Sequence, residues 1–303
     1  MLLGRPMLSD STGAGAWWGA FLQLGSGMLA DQAPQVSSVR LARPPTGEAD
    51  VFPYGLSALT GLTELSFPSP VSVFVGENGS GKSTLLEAIA LSARLPTIGS
   101  VEASADESLE HQRRLAGLLT LVWRQRTHRG FFLRAEDFFG FTRRLETVKQ
   151  EMEDRIADVD RHYEGRSDLA KALAKGPAAG SIAAMKSRYG ENLDANSHGE
   201  SFLALFRSRF VASGLYLLDE PEAALSPQSQ LGLVAMIRDM VEQGGQFLIA
   251  THSPILAAIP GATIYDFDRS PATQTTYDSL ESVQLLRSFL EAPGRYLRHI
   301  WPD

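Results

Sequence analysis

Three short apolar runs stand out along the chain: "VSVFV" at 71–75, "LYLL" at 215–218 and "QFLIA" at 246–250. Each holds at most one polar residue, includes β-branched or aromatic residues and is closed by a polar or glycine residue. That pattern predicts strands buried on both faces, as in a parallel sheet. A fourth run, "ATIYDFD" at 262–268, also reads as a strand. Between the runs the apolar period lengthens to that of a helix. Leu85, Leu86, Ile89 and Ala90 share one face, as do Phe202, Leu205, Phe206 and Phe210, and Leu233, Met236, Ile237, Met240 and Val241. The last helix has Ser226 as N-cap, Pro227 in its first turn and Gly244 as its stop. Residues 142–175 alternate charges and read as helix, "AKGPAAGS" at 174–181 as a loop, and "LVWRQRTHRGFFLR" as a twisted hairpin. "DSLESVQLLRSFLEAPG" reads as a capped helix stopped by Pro293 and Gly294.

The polar residues at the ends of these runs carry the chemistry. Residues 76–83 fit G-x-x-x-x-G-K-S between a strand and a helix. Gly76, Gly79 and Gly81 let the backbone curl until its N–H groups converge on phosphate oxygens. The helix N-terminus adds positive potential. Lys82 is placed for the β- and γ-phosphates, and Ser83 for Mg²⁺. Asp219 and Glu220 end the second run. A carboxylate at the tip of a core strand needs a partner, and nucleotide-bound Mg²⁺ supplies one for Asp219. Glu220 then remains to orient or deprotonate water. His252 follows the third run, where it would sense the γ-phosphate. Ligands of open α/β sheets bind at the carboxyl ends of strands, so three strands deliver these groups to one edge.

"SHGES" at 197–201 precedes the Phe202 helix and admits two compatible readings. Ser197 and Glu200 form a capping box, and the same helix start holds a phosphate belonging to another subunit. Composition narrows the field. A net charge of −7 argues against a surface matched throughout to nucleic acid, although Arg124, Arg126, Arg129 and Arg134 could form a local basic patch. With no cysteine there is no disulfide, thiol catalysis or thiolate metal site. Residues 11–30 are uncharged and, with Arg5 before them, could imitate a signal peptide or a short membrane anchor, but their Gly, Ser and Thr content is weakly apolar for a span, so residues 1–35 read as a poorly ordered tail, with a start at Met28 as a related alternative.

In the order "GENGSGKST", "SHGES", "LYLLDEPEAALS", "ATHSP", the motifs resemble those of ABC-type ATPases. They are most similar to the non-transporter branch, with its structural-maintenance-of-chromosomes, RecF-like and overcoming-lysogenization-defect-like heads. The resemblance spans roughly residues 36–303. It implies an α/β P-loop NTPase fold: a mostly parallel core sheet, an early antiparallel β region and a helical lobe inserted at about 142–212. It implies ATP and Mg²⁺, with Asn78, Ser80 and Thr84 joining the phosphate loop, Ser83 and Asp219 at the metal, and Lys82, Glu220 and His252 catalytic. Ser197, Gly199 and Glu200 would face the γ-phosphate held by a partner subunit, in a head-to-tail homodimer closed by ATP. The chain departs from the family's signature at His198 and Glu200, where Gly and Gln are usual. Residues 223–226 match the loop that follows the family's acid pair, and Glu222 resembles the repair and chromosome branch.

The resemblance also leads us to expect a Gln-bearing loop and an adenine-stacking aromatic. Gln112, Gln125 and the segment 130–139 compete for the first, Phe52 and Tyr54 for the second. The expected protein is a cytoplasmic ATPase that gates a protein or nucleic-acid client. The alternatives are a transporter's nucleotide-binding subunit and a non-hydrolysing ATP-binding regulatory module.

Overall fold

The computed structural model describes residues 33–98, 110–189 and 198–301. Strands β1 (Val36–Leu41), β2 (Glu64–Ser66) and β3 (Val71–Val75) lead into helix α1 (Lys82–Ala93). Then come α2 (Glu110–Leu118), β4 (Leu119–Trp123), β5 (Gly130–Arg134), and the helices α3 (Ala135–His162), α4 (Asp168–Tyr189) and α5 (His198–Arg209). Strand β6 (Leu215–Asp219), a 3-10 turn (Pro221–Ala224), α6 (Pro227–Glu242), β7 (Gln246–Ala250) and α7 (Pro254–Ala257) follow. Strands β8 (Thr263–Asp266) and β9 (Thr273–Thr275) and helices α8 (Glu281–Glu291) and α9 (Pro293–Ile300) complete the described chain.

The larger sheet has the order β5-β6-β7-β3-β8-β9, parallel except for β9. Side-chain alternation divides its apolar residues between two cores. Phe74, Leu215, Leu217, Leu248 and Ala250 face α1 and the antiparallel sheet β2-β1-β4. Val73, Tyr216, Leu218, Phe247 and Ile249 face α5 and α6. On that side Phe202, Leu205 and Phe206 are fully buried, and the Phe206 and Phe210 rings stack at 5.1 Å. Burial on both faces is why the strands read as continuous apolar runs. The Ser226 cap is present, its side chain accepting from Ser229 N, and Gly244 ends α6 at φ 80°.

One side-chain amide joins the two sheets. Gln246 is fully buried; its Oε1 accepts from Val36 N at 2.8 Å and its Nε2 donates to Val36 O at 2.9 Å. It serves the start of β1 as a neighbouring strand would.

Three local readings are corrected. "LVWRQRTHRGFFLR" is not a hairpin: β4 pairs with β1 in one sheet and β5 with β6 in the other. Residues 174–181 are helix, because α4 continues through Pro177. The packing of α4 on α3, tied by the Lys175–Asp160 pair at 2.6 Å, outweighs the local breakers. Pro293 does end α8, but it also occupies the first turn of α9. The tail reading of residues 1–35 falls almost wholly outside the described residues, and β1 begins at Val36.

Replacing Gln246 with Leu leaves a buried N–H and C=O of Val36 unserved. The expected cost is about 2–4 kcal/mol of unfolding free energy, read as a lower urea midpoint with an unchanged slope.

Candidate nucleotide site

The loop between β3 and α1 curls through positive-φ glycines, Gly76 at 149°, Gly79 at 82° and Gly81 at 103°. At Gly76 a Cβ would stand 3.0 Å from both Asp268 Oδ1 and Ser80 Oγ, so space as well as φ demands glycine. Asp268 Oδ1 accepts from Glu77 N at 2.8 Å and braces the first bend of the loop. Sequence reasoning missed this residue. Its signal was the acidic "DFD" closing the run at 262–268, on the strand beside β3.

Lys82, only 4% exposed, folds back over the loop. Its Nζ donates to Gly76 O at 2.7 Å and Glu77 O at 2.8 Å, with Ser80 Oγ at 3.4 Å. Burial lowers its pKa, while Glu220, Asp268, Asp219 and Glu222 pull the other way. Asn78, Gly79, Gly81, Lys82, Ser83 and Thr84 line a cleft of about 120 Å³ together with Phe52, Leu56 and Glu220.

Asp219 closes β6 as expected. It is 7% exposed, and its Oδ1 accepts from Ser83 Oγ at 2.9 Å. Burial pushes its pKa up to about 7; the Ser83 hydrogen bond opposes this, Glu87 and Glu220 add to it, and Arg134 lowers it. Arg134 itself pairs with Glu87 at 2.8 Å in a half-dry setting, which removes it from the expected basic surface.

Glu220 is not an alternating strand residue. It occupies the left-handed region at φ 48°, ψ 46°, and its N–H donates to Ala250 O at 2.9 Å. Such a conformation costs about 1–3 kcal/mol and clusters at functional sites. Here it brings Glu220 Oε1 to 3.5 Å from His252 Nε2, with both side chains partly open to solvent. The expected convergence of the β3, β6 and β7 ends is therefore present.

Ser197 lies outside the described residues, while His198, Gly199 and Glu200 form the first turn of α5. Of the two candidate aromatics, Phe52 borders the cleft, 45% exposed and edge-on to His111 at 5.0 Å. Tyr54 packs on the core between α1 and the antiparallel sheet. Among the glutamine-loop candidates, Gln112 lies on α2, and Gln125 precedes β5 at the opposite end of the sheet from the cleft. Within 130–139, β5 passes directly into α3 at Ala135, and the register partner of Arg134 is Asp219.

Comparison with known proteins finds likenesses over much of the chain. An AAA domain model matches residues 55–94, which hold the loop and α1. The octopine permease ATP-binding protein P of Rhizobium radiobacter is 27% identical over 226 residues, 73% of this chain and 79% of that protein. The L-cystine transport system ATP-binding protein TcyN of Escherichia coli is 26% identical, over 66% of this chain and 76% of its own. Among solved structures, a nucleotide-free ATP-binding cassette from an ABC transporter overlaps at TM-score 0.44 and 16% identity, covering 84% of this chain and 95% of that one. An Smc head domain from Pyrococcus furiosus overlaps at 0.40 and 14%, covering 85% and 100%. The motif order, the sheet that carries it and the curated relatives agree in making the chain similar to the ATP-binding subunits of ABC-type systems.

Proposed function

We propose that this chain hydrolyses ATP with Mg²⁺, closes head-to-tail with a second copy, and uses the cycle to gate a protein or nucleic-acid client. The carrying observation is the meeting of Glu220 and His252 at the mouth of the cleft that holds Lys82 and Ser83. The donor set suits Mg²⁺: a hydroxyl and a carboxylate in contact, both hard oxygens, with the carboxylate buried and raised in pKa. Ser83 and Asp219 would hold the ion, which when bound supplies positive charge against the phosphates.

The chain's own groups do the rest. Lys82 turns from the carbonyls of Gly76 and Glu77 to the β- and γ-phosphates. The loop amides take the phosphate oxygens. Glu220 accepts the proton of the attacking water, and His252 hydrogen-bonds the γ-phosphate. Phe52, already beside the cleft, offers a face to adenine. Ser197, Gly199 and Glu200 would reach the nucleotide of the partner copy. In domain terms, residues 36–303 would form the ATPase unit, with the helical lobe inserted at about 142–212.

A nucleic-acid client has support at the other end of the sheet. Arg124, Arg126 and Arg129 are exposed between β4 and β5, and no ion pair engages them among the described residues. Bonds from Arg124 N to Gln35 O and from Thr127 Oγ1 to Ser213 O hold the loop that presents them. The second reading is a transporter's nucleotide-binding subunit, favoured by the permease and transport-system names of the curated relatives. No helix among the described residues is long and apolar enough to cross a membrane. On that reading a membrane partner would co-purify.

Three outcomes are expected. First, Glu220→Gln binds ATP, forms a dimer in Mg·ATP by light scattering and loses turnover by roughly a hundredfold or more. A monomer in all nucleotide states overturns the cross-copy reading. Second, consider Asp219 without metal or nucleotide. Its folded pKa of about 7 lies above the unfolded value of about 3.9. Its contribution to stability is therefore full below about pH 4 and lost as pH rises through about 7. Asp219→Asn in chelator at pH 8 should gain about 1–3 kcal/mol over the parent while losing turnover in Mg·ATP. A lower melting temperature for the variant would contradict this. Third, replacing Arg124, Arg126 and Arg129 together with Ala should weaken binding to mixed-sequence DNA and lower the salt slope by roughly 2–3. Equal slopes for parent and variant remove the patch from consideration.

A further inference from the structure

The turn after the acid pair is fastened to the His252 loop from two sides. Glu222 Oε1 accepts from the backbone N–H of His252 at 2.6 Å and from that of Ser253 at 3.2 Å. Independently, Ser253 Oγ donates to Gln230 Oε1 at 2.5 Å, and Gln230 Nε2 donates to Leu225 O at 3.2 Å. Ser253 and Gln230 are both buried, so this second bridge does not compete with water. The residues that follow β6 and those that follow β7 are thereby joined beyond the last pairing of the strands.

Glu222 is an unusual choice for a mere fastener. Its Oε2 is shielded from solvent and meets no hydrogen-bond partner among the described residues. An unserved carboxylate oxygen is unfavourable, and a site selected for stability alone would satisfy or remove it. What the carboxylate does achieve is positional. The amide it grips most closely belongs to His252 itself, so the root of that side chain is set by Glu222. The 3-10 turn carrying Glu222 lies against α3 and α5, and α5 opens with His198, Gly199 and Glu200.

We propose that Glu222 is a positioning residue, locking the His252 loop to the turn after the acid pair so that this turn dictates where the histidine ring stands relative to Glu220. The proposal rests on the hydrolysis reading above. Lys82, Ser83 and the loop amides make none of these hydrogen bonds, and Glu222 reaches Lys82 only as the last of four carboxylates, so ATP binding is left chiefly to them and the chemical step passes through Glu222. A displacement of about 1 Å at such a group costs up to a hundredfold in rate.

The test is steady-state ATP turnover of the full chain with Glu222→Ala, Glu222→Asp, Glu222→Gln, His252→Ala and the Glu222→Ala/His252→Ala pair. Glu222→Asp keeps the charge but withdraws it from the amides, so the fold is retained if Glu222→Ala proves unstable. Glu222→Gln keeps an acceptor at the Oε1 position. The expected result is a kcat loss of roughly 10–100-fold for Ala and a smaller loss for Asp, with KM for ATP within about threefold, and recovery by Gln. The double variant should fall no further than His252→Ala alone, because both act through one group. Parental kcat in Glu222→Asp, or losses in Glu222→Ala and His252→Ala that multiply, overturn the proposal. A parent chain that turns over no ATP overturns the hydrolysis reading and this one with it. Turnover in the parent with unaffected Glu222 variants overturns this one alone.

Discussion

Everything at the nucleotide edge depends on the in-register parallel pairing of β6, β7 and β3. Asp219 pairs with Ala250, and Ala250 with Phe74. Backbone bonds extend the alignment one step further, from Glu220 N to Ala250 O, Thr251 N to Phe74 O and Phe267 N to Val75 O. A slip of one residue in any strand would turn its apolar set to the wrong face and lift its loop away from the others. The two cores, one on each face, prevent that slip. The positions of Lys82, Asp219 and His252 are thus consequences of packing on residues that never touch a nucleotide.

The site built on this frame concentrates acids around one buried lysine. Glu220, Asp268, Asp219 and Glu222 all act on Lys82 electrostatically, and burial works against its charge. Asp219 pays in the opposite sense, being raised by the same dryness. Such a cluster is poorly matched to itself and well matched to a ligand that brings both phosphate and a divalent cation. The left-handed backbone at Glu220 belongs to the same pattern, since local strain is tolerated where surrounding bonds over-determine the geometry.

Legibility followed the range of the forces. The β3, β6 and β7 runs, the phosphate loop and the Ser226 cap were readable because each is encoded within a few neighbouring residues. The Asp268 brace and the Glu222 clamp were not, because they join residues 191 and 30 positions apart and leave no local period. The α4 helix shows the converse error. Pro177 and its glycine neighbours signal a break locally, and contact with α3 overrides it. Arg134 looked like its surface neighbours in sequence, yet the strand it ends carries it inward to Glu87.

The Gln246 amide has a consequence for how the molecule comes into being. Val36 and its partner lie 210 residues apart, and β3 likewise has only β7 and β8 beside it. At synthesis rates of about 5–20 residues per second, β1 would wait roughly 10–40 seconds for the amide that completes it. The phosphate loop emerges early, but the sheet that gives it shape cannot form until the second half of the chain has left the ribosome. During that interval the nascent chain carries unpaired, strongly apolar strands, the condition under which chaperones are most needed.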